Sequence, residues 1–320
     1  MTPEFNLIKQ HFTRPTQHTR LGVGDDAALI NLSPEMELAI SADMLVAGTH
    51  FFANCDAYQL GWKSLAVNIS DMAAMGAEPK WSTLAIALPE VNNTWLSEFS
   101  SGFFACADAF NVDLIGGDTT RGPLTINVQI MGEVPIGKAI RRSGAQVGDE
   151  IWISGKLGDA AMALQHMLGR LTLPDAIFNS CAKALHSPQP RVTLGLALRT
   201  LANSAIDISD GLLADLGHIL EQSDVGATLH LKSIPHSSFI DFPIDLRDKN
   251  FQKMVLAGGD DYELCFTASN ENHDKLLALA KTIQIDLSCI GKITANRGTT
   301  LLGLDNEVLD IKETGFDHFS

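Results

Sequence analysis

Long hydrophobic runs, paired cysteines and an excess of positive charge are all missing from this chain of 320 residues. No stretch of about 18 uncharged apolar residues occurs, so no membrane span is expected. The first residues, MTPEFNLIKQHF, lack a basic segment followed by an apolar one, and no signal peptide is expected. The five cysteines (Cys55, Cys106, Cys181, Cys265 and Cys289) are scattered, and none stands in a C-x-x-C pair. That argues against a disulfide frame or a zinc site, and for reduced thiols in the cytoplasm. Lys and Arg number 23 against 38 Asp and Glu, a net charge of −15. Such a surface repels nucleic acid and anionic membrane, and neither is an expected partner. Low-complexity tracts and short-period repeats are absent too.

What is present is an ordinary globular balance, 45% hydrophobic and 19% charged, in a chain long enough for two domains. Residues 38–46 and 125–134 alternate with period two and read as strands. Residues 57–75 read as a helix stopping at Gly76, with Pro79 beyond. WSTLAIAL is a strand, TWLSEFSSGFFACADAF a second helix and VDLIGG a further strand, which together make a β-rich α+β unit. The Gly- and charge-rich stretch 137–150 marks a boundary, giving expected domains of residues 1–137 and 138–320. Beyond it come strand 151–154, a helix opened by Gly158 and Asp159, and a helix near 190–202. Strand 205–209, helix 210–223 and strand 226–231 follow, and then strand 262–268 and helix 273–283. That is a second α/β unit.

Aspartates recur at the ends of these elements: GVGDDAA (Asp25, Asp26), SADMLVAGTHF (Asp43), NISDMAAMGAEP (Asp71), LIGGDTTRG (Asp118), AIDISDGL (Asp207, Asp210) and AGGDDYEL (Asp260, Asp261). Each alone has a plain structural explanation, as a turn residue or a helix N-cap, and Asp210 could simply cap the helix after it. Asp71 is different. On its helix it shares a face with Ser64 and Asn68, away from the Leu65–Ile69–Met72 stripe, which could be a solvated face. It also falls in the last turn, where the helix dipole disfavours an anion and a cation would compensate. Carboxylates converging on one pocket repel by roughly 4 kcal/mol per pair at about 4 Å, so such a cluster needs bound cations. With oxygen ligands and no matching Cys or His set, the expected metal is Mg²⁺, which usually accompanies a phosphate substrate.

No standard nucleotide loop serves that substrate. GEVPIGKA (132–139) matches G-x-x-x-x-G-K after a strand, but Ala139 stands where Ser or Thr would hold Mg²⁺ and Pro135 removes an N–H. No dinucleotide-binding G-x-G-x-x-G turn and no protein-kinase catalytic loop occurs. Arg142, between the domains, is a candidate phosphate clamp or else a surface arginine. His50, after the Asp43 strand, is a weaker candidate.

Taken in order, these segments resemble the thiamine-monophosphate kinase family, of the superfamily that includes aminoimidazole ribonucleotide synthetase and selenophosphate synthetase. The resemblance runs over nearly the whole chain. It passes from GVGDDAALI through ISADMLVAGTHF, AVNISDMAAMGAEP, IGGDTTRGP, RRSGAQVGDEIWISGKLGDAA and SAIDISDGLLADLGHI to GGDDYELCF and GFDHF. It implies a mixed α/β fold of two domains, the N-terminal one forming an intersubunit barrel in a homodimer. It implies Mg²⁺ ligands at Asp26, Asp43, Asp71, Asp118, Asp207 and Asp210, assisted by Ser41 and the Ala42 backbone. ATP contacts are implied at Gly117, Asp118, Arg142 and Ser209, and substrate contacts at His50, Asp260 and Phe316. The family usually carries Glu at position 260 and often Tyr or Trp near 316, so the chain departs from the pattern at both. The implied reaction is in-line transfer of the ATP γ-phosphoryl group to thiamine monophosphate, giving thiamine diphosphate. That acceptor phosphate is mostly dianionic at neutral pH, so no catalytic base is assigned.

Overall fold

A computed structural model describes residues 3–240, 242–310 and 315. The chain divides into two compact units. The first holds the residues up to Met72 together with Ala77–Gly137, and the second holds Ala73–Gly76 and the chain from Lys138 onward.

In the first unit, α1 (Pro3–His11), β1 (Thr19–Leu21) and β2 (Leu29–Ile30) precede β3 (Met36–Val46), α2 (Ala57–Ala74) and β4 (Glu78–Leu88). Then come α3 (Asn93–Phe110), β5 (Asp113–Arg121) and β6 (Thr125–Pro135). The main sheet has the order β3-β6-β4-β5, antiparallel except for the β4–β5 pair. Alternation along β6 puts Ile126, Val128 and Ile130 on the buried face, with Leu65, Ile69 and Met72 of α2 also in the core. Burying each such side chain contributes about 1.5–3 kcal/mol. The other face of β3 is open, and Ile40 and Met44 are each 55% exposed. β5 runs on to Arg121, so Asp118 lies inside a strand and not in the turn expected after Gly117.

The second unit contains β7 (Glu150–Ser154), α4 (Asp159–Met167), α5 (Asp175–His186), α6 (Val192–Leu198), β8 (Ser204–Asp207), α7 (Leu212–Ser223) and β9 (Gly226–His230). It continues with α8 (Lys249–Ala257), β10 (Leu264–Ala268), α9 (His273–Ile283), β11 (Leu287–Thr294), β12 (Gly298–Leu302) and β13 (Val308–Leu309). Its sheet order is β13-β12-β9-β11-β7-β10-β8, antiparallel apart from β12 on β9. Helices α5 and α8 and strands β11 to β13 were not read from the sequence, and α6 is shorter than 190–202. Helix α7 begins at Leu212 with Gly211 at its N-cap, so Asp210 does not cap it.

Candidate active site

The expected residues of the first unit gather chiefly where α2 lies along β3. β3 is an edge strand, so outward-facing N–H groups find no ladder partner there. Asn68 of α2 supplies one, accepting the Asp43 N–H at 3.0 Å, while Asn127 of β6 donates to the Asp43 carbonyl at 3.0 Å. One turn further along α2, Asp71 Oδ2 accepts the Ser41 hydroxyl at 2.5 Å. Ser64 and Asn68 are fully buried, so this helix face is packed and not solvated. Ser41 and Asp71 are thus paired through their side-chain oxygens and Asp43 is held beside them by its backbone, the three forming one half-buried set with the Ala42 backbone between Ser41 and Asp43 on β3.

Asp118 is not part of that set. It is exposed on β5, in register with Ala85 of β4, then Asn127 of β6, then Met44 of β3. Three strand spacings, roughly 14 Å, separate it from β3. Gly117 beside it has φ +150, and a Cβ there would stand 1.8 Å from the Leu84 carbonyl, so β5 can lie against β4 only with glycine at this point. Asp26 is exposed between β1 and β2, its N–H on the Asp25 side chain at 3.1 Å. His50 closes the turn after β3, where its Nδ1 accepts the Val46 N–H at 3.0 Å and so fixes the ring. The rejected loop at 132–139 is the end of β6, and the Gly137 N–H goes to the Glu37 carboxylate at 2.6 Å.

In the second unit, Asp207 ends β8, buried, and Ser209 and Asp210 occupy the turn that leads into α7. That turn is bonded to the loop 258–262. The Asp260 N–H donates to the Ser209 carbonyl at 2.9 Å, and the Tyr262 N–H to the Ile208 carbonyl at 2.8 Å. A Cβ at Gly259 would meet the same Ser209 carbonyl at 2.3 Å. Asp260 and Tyr262 both have positive φ, +67 and +50, a strained conformation held by these bonds. The Tyr262 hydroxyl donates to Asp260 Oδ1 at 3.2 Å. Arg142 is exposed, and its carbonyl accepts the Ser223 hydroxyl at 3.3 Å at the far end of α7. Twelve helical residues, about 18 Å, therefore separate its backbone from Asp210. Phe316 lies outside the described residues.

Two stretches match family models: AIR synthase related protein, N-terminal domain, over residues 24–134, and AIR synthase related protein, C-terminal domain, over residues 146–303. The thiamine-monophosphate kinase of Escherichia coli (strain K12) is 43% identical over 99% of this chain and 98% of its own. The chain belongs to the thiamine-monophosphate kinase family. The crystal structure of thiamine-monophosphate kinase from Stenotrophomonas maltophilia K279a superposes with a TM-score of 0.84 at 45% identity, covering 95% of this chain and 96% of that one. The structure of AaThiL complexed with AMPPCP and TMP reaches 0.79 at 26% identity, covering 98% and 96%.

Among the described residues of this kinase-family chain, no group of three or more His, Cys, Asp or Glu side chains is gathered tightly enough to hold a metal ion. The side-chain donors that do come together, Ser41 and Asp71, are both oxygens, as is the carboxylate of Asp43 nearby on β3, which suits a hard cation such as Mg²⁺. Several supporting roles escaped the sequence reading, which names Asp261 only as a turn residue. Asn127 and Tyr262 look like ordinary strand residues until their hydrogen bonds are seen. Asp261 is buried and accepts the Gly158 N–H with both oxygens at 3.0 and 3.1 Å, holding the start of α4; burial pushes its carboxyl well above the usual range. Asp215 lies among Leu212, Leu213, Leu216 and Ile219 on the buried side of α7. Burial and then the neighbouring Asp210 charge push it up to about 7, although three backbone N–H groups favour its charged form. An acid interrupting the apolar stripe of LLADLGHIL was the available signal.

Proposed function

We propose that this chain transfers the γ-phosphoryl group of ATP to the phosphate of thiamine monophosphate, releasing thiamine diphosphate and ADP. The observation that supports it most directly is the 2.9 Å bond from the Asp260 N–H to the Ser209 carbonyl. It ties an expected acceptor-binding loop to an expected ATP- and metal-binding turn in one piece of backbone. The AMPPCP and TMP in AaThiL suit the same pair of ligands, an ATP analogue and thiamine monophosphate.

In the reaction, an oxygen of the acceptor phosphate attacks the γ-phosphorus. The bond from that phosphorus to the β–γ bridging oxygen breaks, and ADP leaves with the electron pair. The acceptor is already dianionic above about pH 6, so no side chain need remove a proton. Catalysis then rests on holding two anions in line. Mg²⁺, when bound, neutralises phosphate charge. Asp26, Ser41, the Ala42 backbone, Asp43, Asp71, Asp118, Asp207 and Asp210 would hold it. Several ions rather than one fit the separation of Asp118 from Ser41 and Asp43 within the first unit, because Mg²⁺–oxygen bonds are only about 2.1 Å. Gly117, Asp118 and Ser209 would contact ATP, with Arg142 meeting a part of it remote from the Asp210 turn. His50 and Asp260 would contact the thiamine portion, Asp260 offering a negative charge to the thiazolium. Phe316 is the expected aromatic partner.

The enzyme would act as a cytoplasmic homodimer, in keeping with five free cysteines and the open apolar face of β3. Incubation with ATP, Mg²⁺ and thiamine monophosphate should yield thiamine diphosphate and ADP in equal amounts. Equal turnover with free thiamine, or release of inorganic phosphate unaffected by the acceptor, would refute this reading.

A further inference from the structure

Asp215 is a buried acid to which the reaction above gives no direct role. It is 3% exposed, and Leu212, Leu216 and Ile219 around it on α7 are fully buried. A carboxylate in such surroundings must be repaid by hydrogen bonds. Its Oδ2 accepts the backbone N–H of Ser209 at 3.0 Å, of Asp210 at 3.0 Å and of Gly211 at 3.1 Å. From the other side, the carbonyls of Ile208 and Ser209 accept the N–H groups of Tyr262 and Asp260. Gly211, with φ +121, has no room for a Cβ, which would fall 2.7 Å from the Ala257 backbone. Donors and acceptors of the turn are thus held from opposite sides, and the half-buried side chains of Ser209 and Asp210 project from a fixed backbone.

We propose that Asp215 is a positioning residue for phosphoryl transfer, setting the Ser209–Gly211 turn so that Asp210 and Ser209 are aimed at cation and triphosphate. This rests on the proposed role of Asp210 as a metal ligand. An ordinary helix cap would contribute stability and nothing else. A positioning residue also changes how the enzyme responds to metal, and outer-layer partners of metal ligands typically alter affinity about 10- to 100-fold.

The test compares the full-length wild type with Asp215→Ala, Asp215→Glu, Asp215→Asn and Asp210→Asn. It measures the Mg²⁺ concentration for half-maximal activity, the KM for ATP, and melting temperature. Asp215→Ala leaves three N–H groups without an acceptor, and Asp215→Glu pushes the turn outward by one methylene. Each should raise half-activating Mg²⁺ at least about tenfold. Asp215→Asn keeps a carbonyl oxygen for the same donors and should stay within about threefold of wild type. Unchanged Mg²⁺ dependence in Asp215→Glu and Asp215→Ala, with only a lower melting temperature, would reduce Asp215 to a cap and overturn the proposal. Should Asp215→Ala not fold, the Glu and Asn pair decides by the same criterion. If Asp210→Asn itself leaves the Mg²⁺ dependence unmoved, the metal assignment is wrong and this inference falls with it; if only the Asp215 variants are silent, the assignment stands alone.

Discussion

Asp71 stands in the last turn of α2, where carbonyl ends carry partial negative charge, yet it is retained half-buried against Ser41. Its residence there makes sense if a cation joins it. Asp71→Asn and Asp118→Asn should each lower kcat/KM by about 100-fold or more. Stability without Mg²⁺ should hold or rise, since a charge leaves an acidic neighbourhood. The rise in melting temperature on adding Mg²⁺ with ATP should shrink in both. Variants that melt lower without metal while keeping full turnover would show these acids to be structural. Asp260 calls for a different readout. Its side chain, held by the Tyr262 hydroxyl, is assigned to the cationic part of the acceptor. Asp260→Asn should raise the KM for thiamine monophosphate by about tenfold and leave that for ATP nearly unchanged. Weakening mainly of ATP or Mg²⁺ binding would remove Asp260 from the acceptor site.

Helices α2 and α3 owe their close approach to two glycines. A Cβ on Gly61 would stand 2.0 Å from the Phe99 carbonyl, and one on Gly102 would stand 1.8 Å from that of Tyr58. Backbone therefore meets backbone, and no side chain can yield. Gly102→Ala should cost about 1–3 kcal/mol, the usual range for overpacking. Gly217, inside α7 with nothing within 4 Å, is the matched contrast. Gly217→Ala should add about 0.5–1 kcal/mol, because alanine is the better helix former. Denaturant unfolding of the two variants checks both signs. On β6, buried Glu133 accepts the Ser33 N–H at 2.6 Å and hydroxyl at 2.9 Å, with the Lys80 ammonium at 3.5 Å. Desolvation works to raise its pKa, but these partners outweigh it and hold the carboxyl below its ordinary 4.5. The sign follows: a depressed folded pKa contributes stability above pH 4.5, and that stability is lost as pH falls through the folded value. Glu133→Gln should lower the melting temperature at neutral pH and weaken its fall below pH 4.5. An identical acid limb in wild type and variant would contradict this.

For the whole molecule, the open face of β3 is the feature that asks for a partner. Ile40 and Met44 project from it, exposed, beside a strand edge. Light scattering at micromolar concentration should find a dimer. The double variant Ile40→Glu with Met44→Glu should shift it to monomer, and a stable wild-type monomer would refute the expectation.

Local pattern was enough to locate β3, α2, α3 and β6 to within a few residues: the strands alternate between two unlike faces, and α2, although buried almost all round, is bounded by the Gly76 and Pro79 that end it. Glycine-flanked aspartates in a set order were likewise enough to place the family. The sequence could not say which strands pair. β10 lies between β7 and β8, and β12 beside β9, because hydrogen bonding between distant segments decides order, and local pattern carries no record of it. Helices α5 and α8 were missed for a related reason: their apolar stripes are short and acquire meaning only against neighbouring helices, α4 for α5, and α4 and α7 for α8. The aspartates were visible one by one, but their settings were not. That Asn68 holds the Asp43 backbone and that Asp118 stands across the sheet from Ser41 depend on chain segments tens of residues apart, whereas Asp215 serves the start of α7 from only four to six residues away, through a turn whose backbone course the residue types do not reveal. Chemistry was written in residue type and local order; geometry came only when burial and backbone pairing forced distant pieces together.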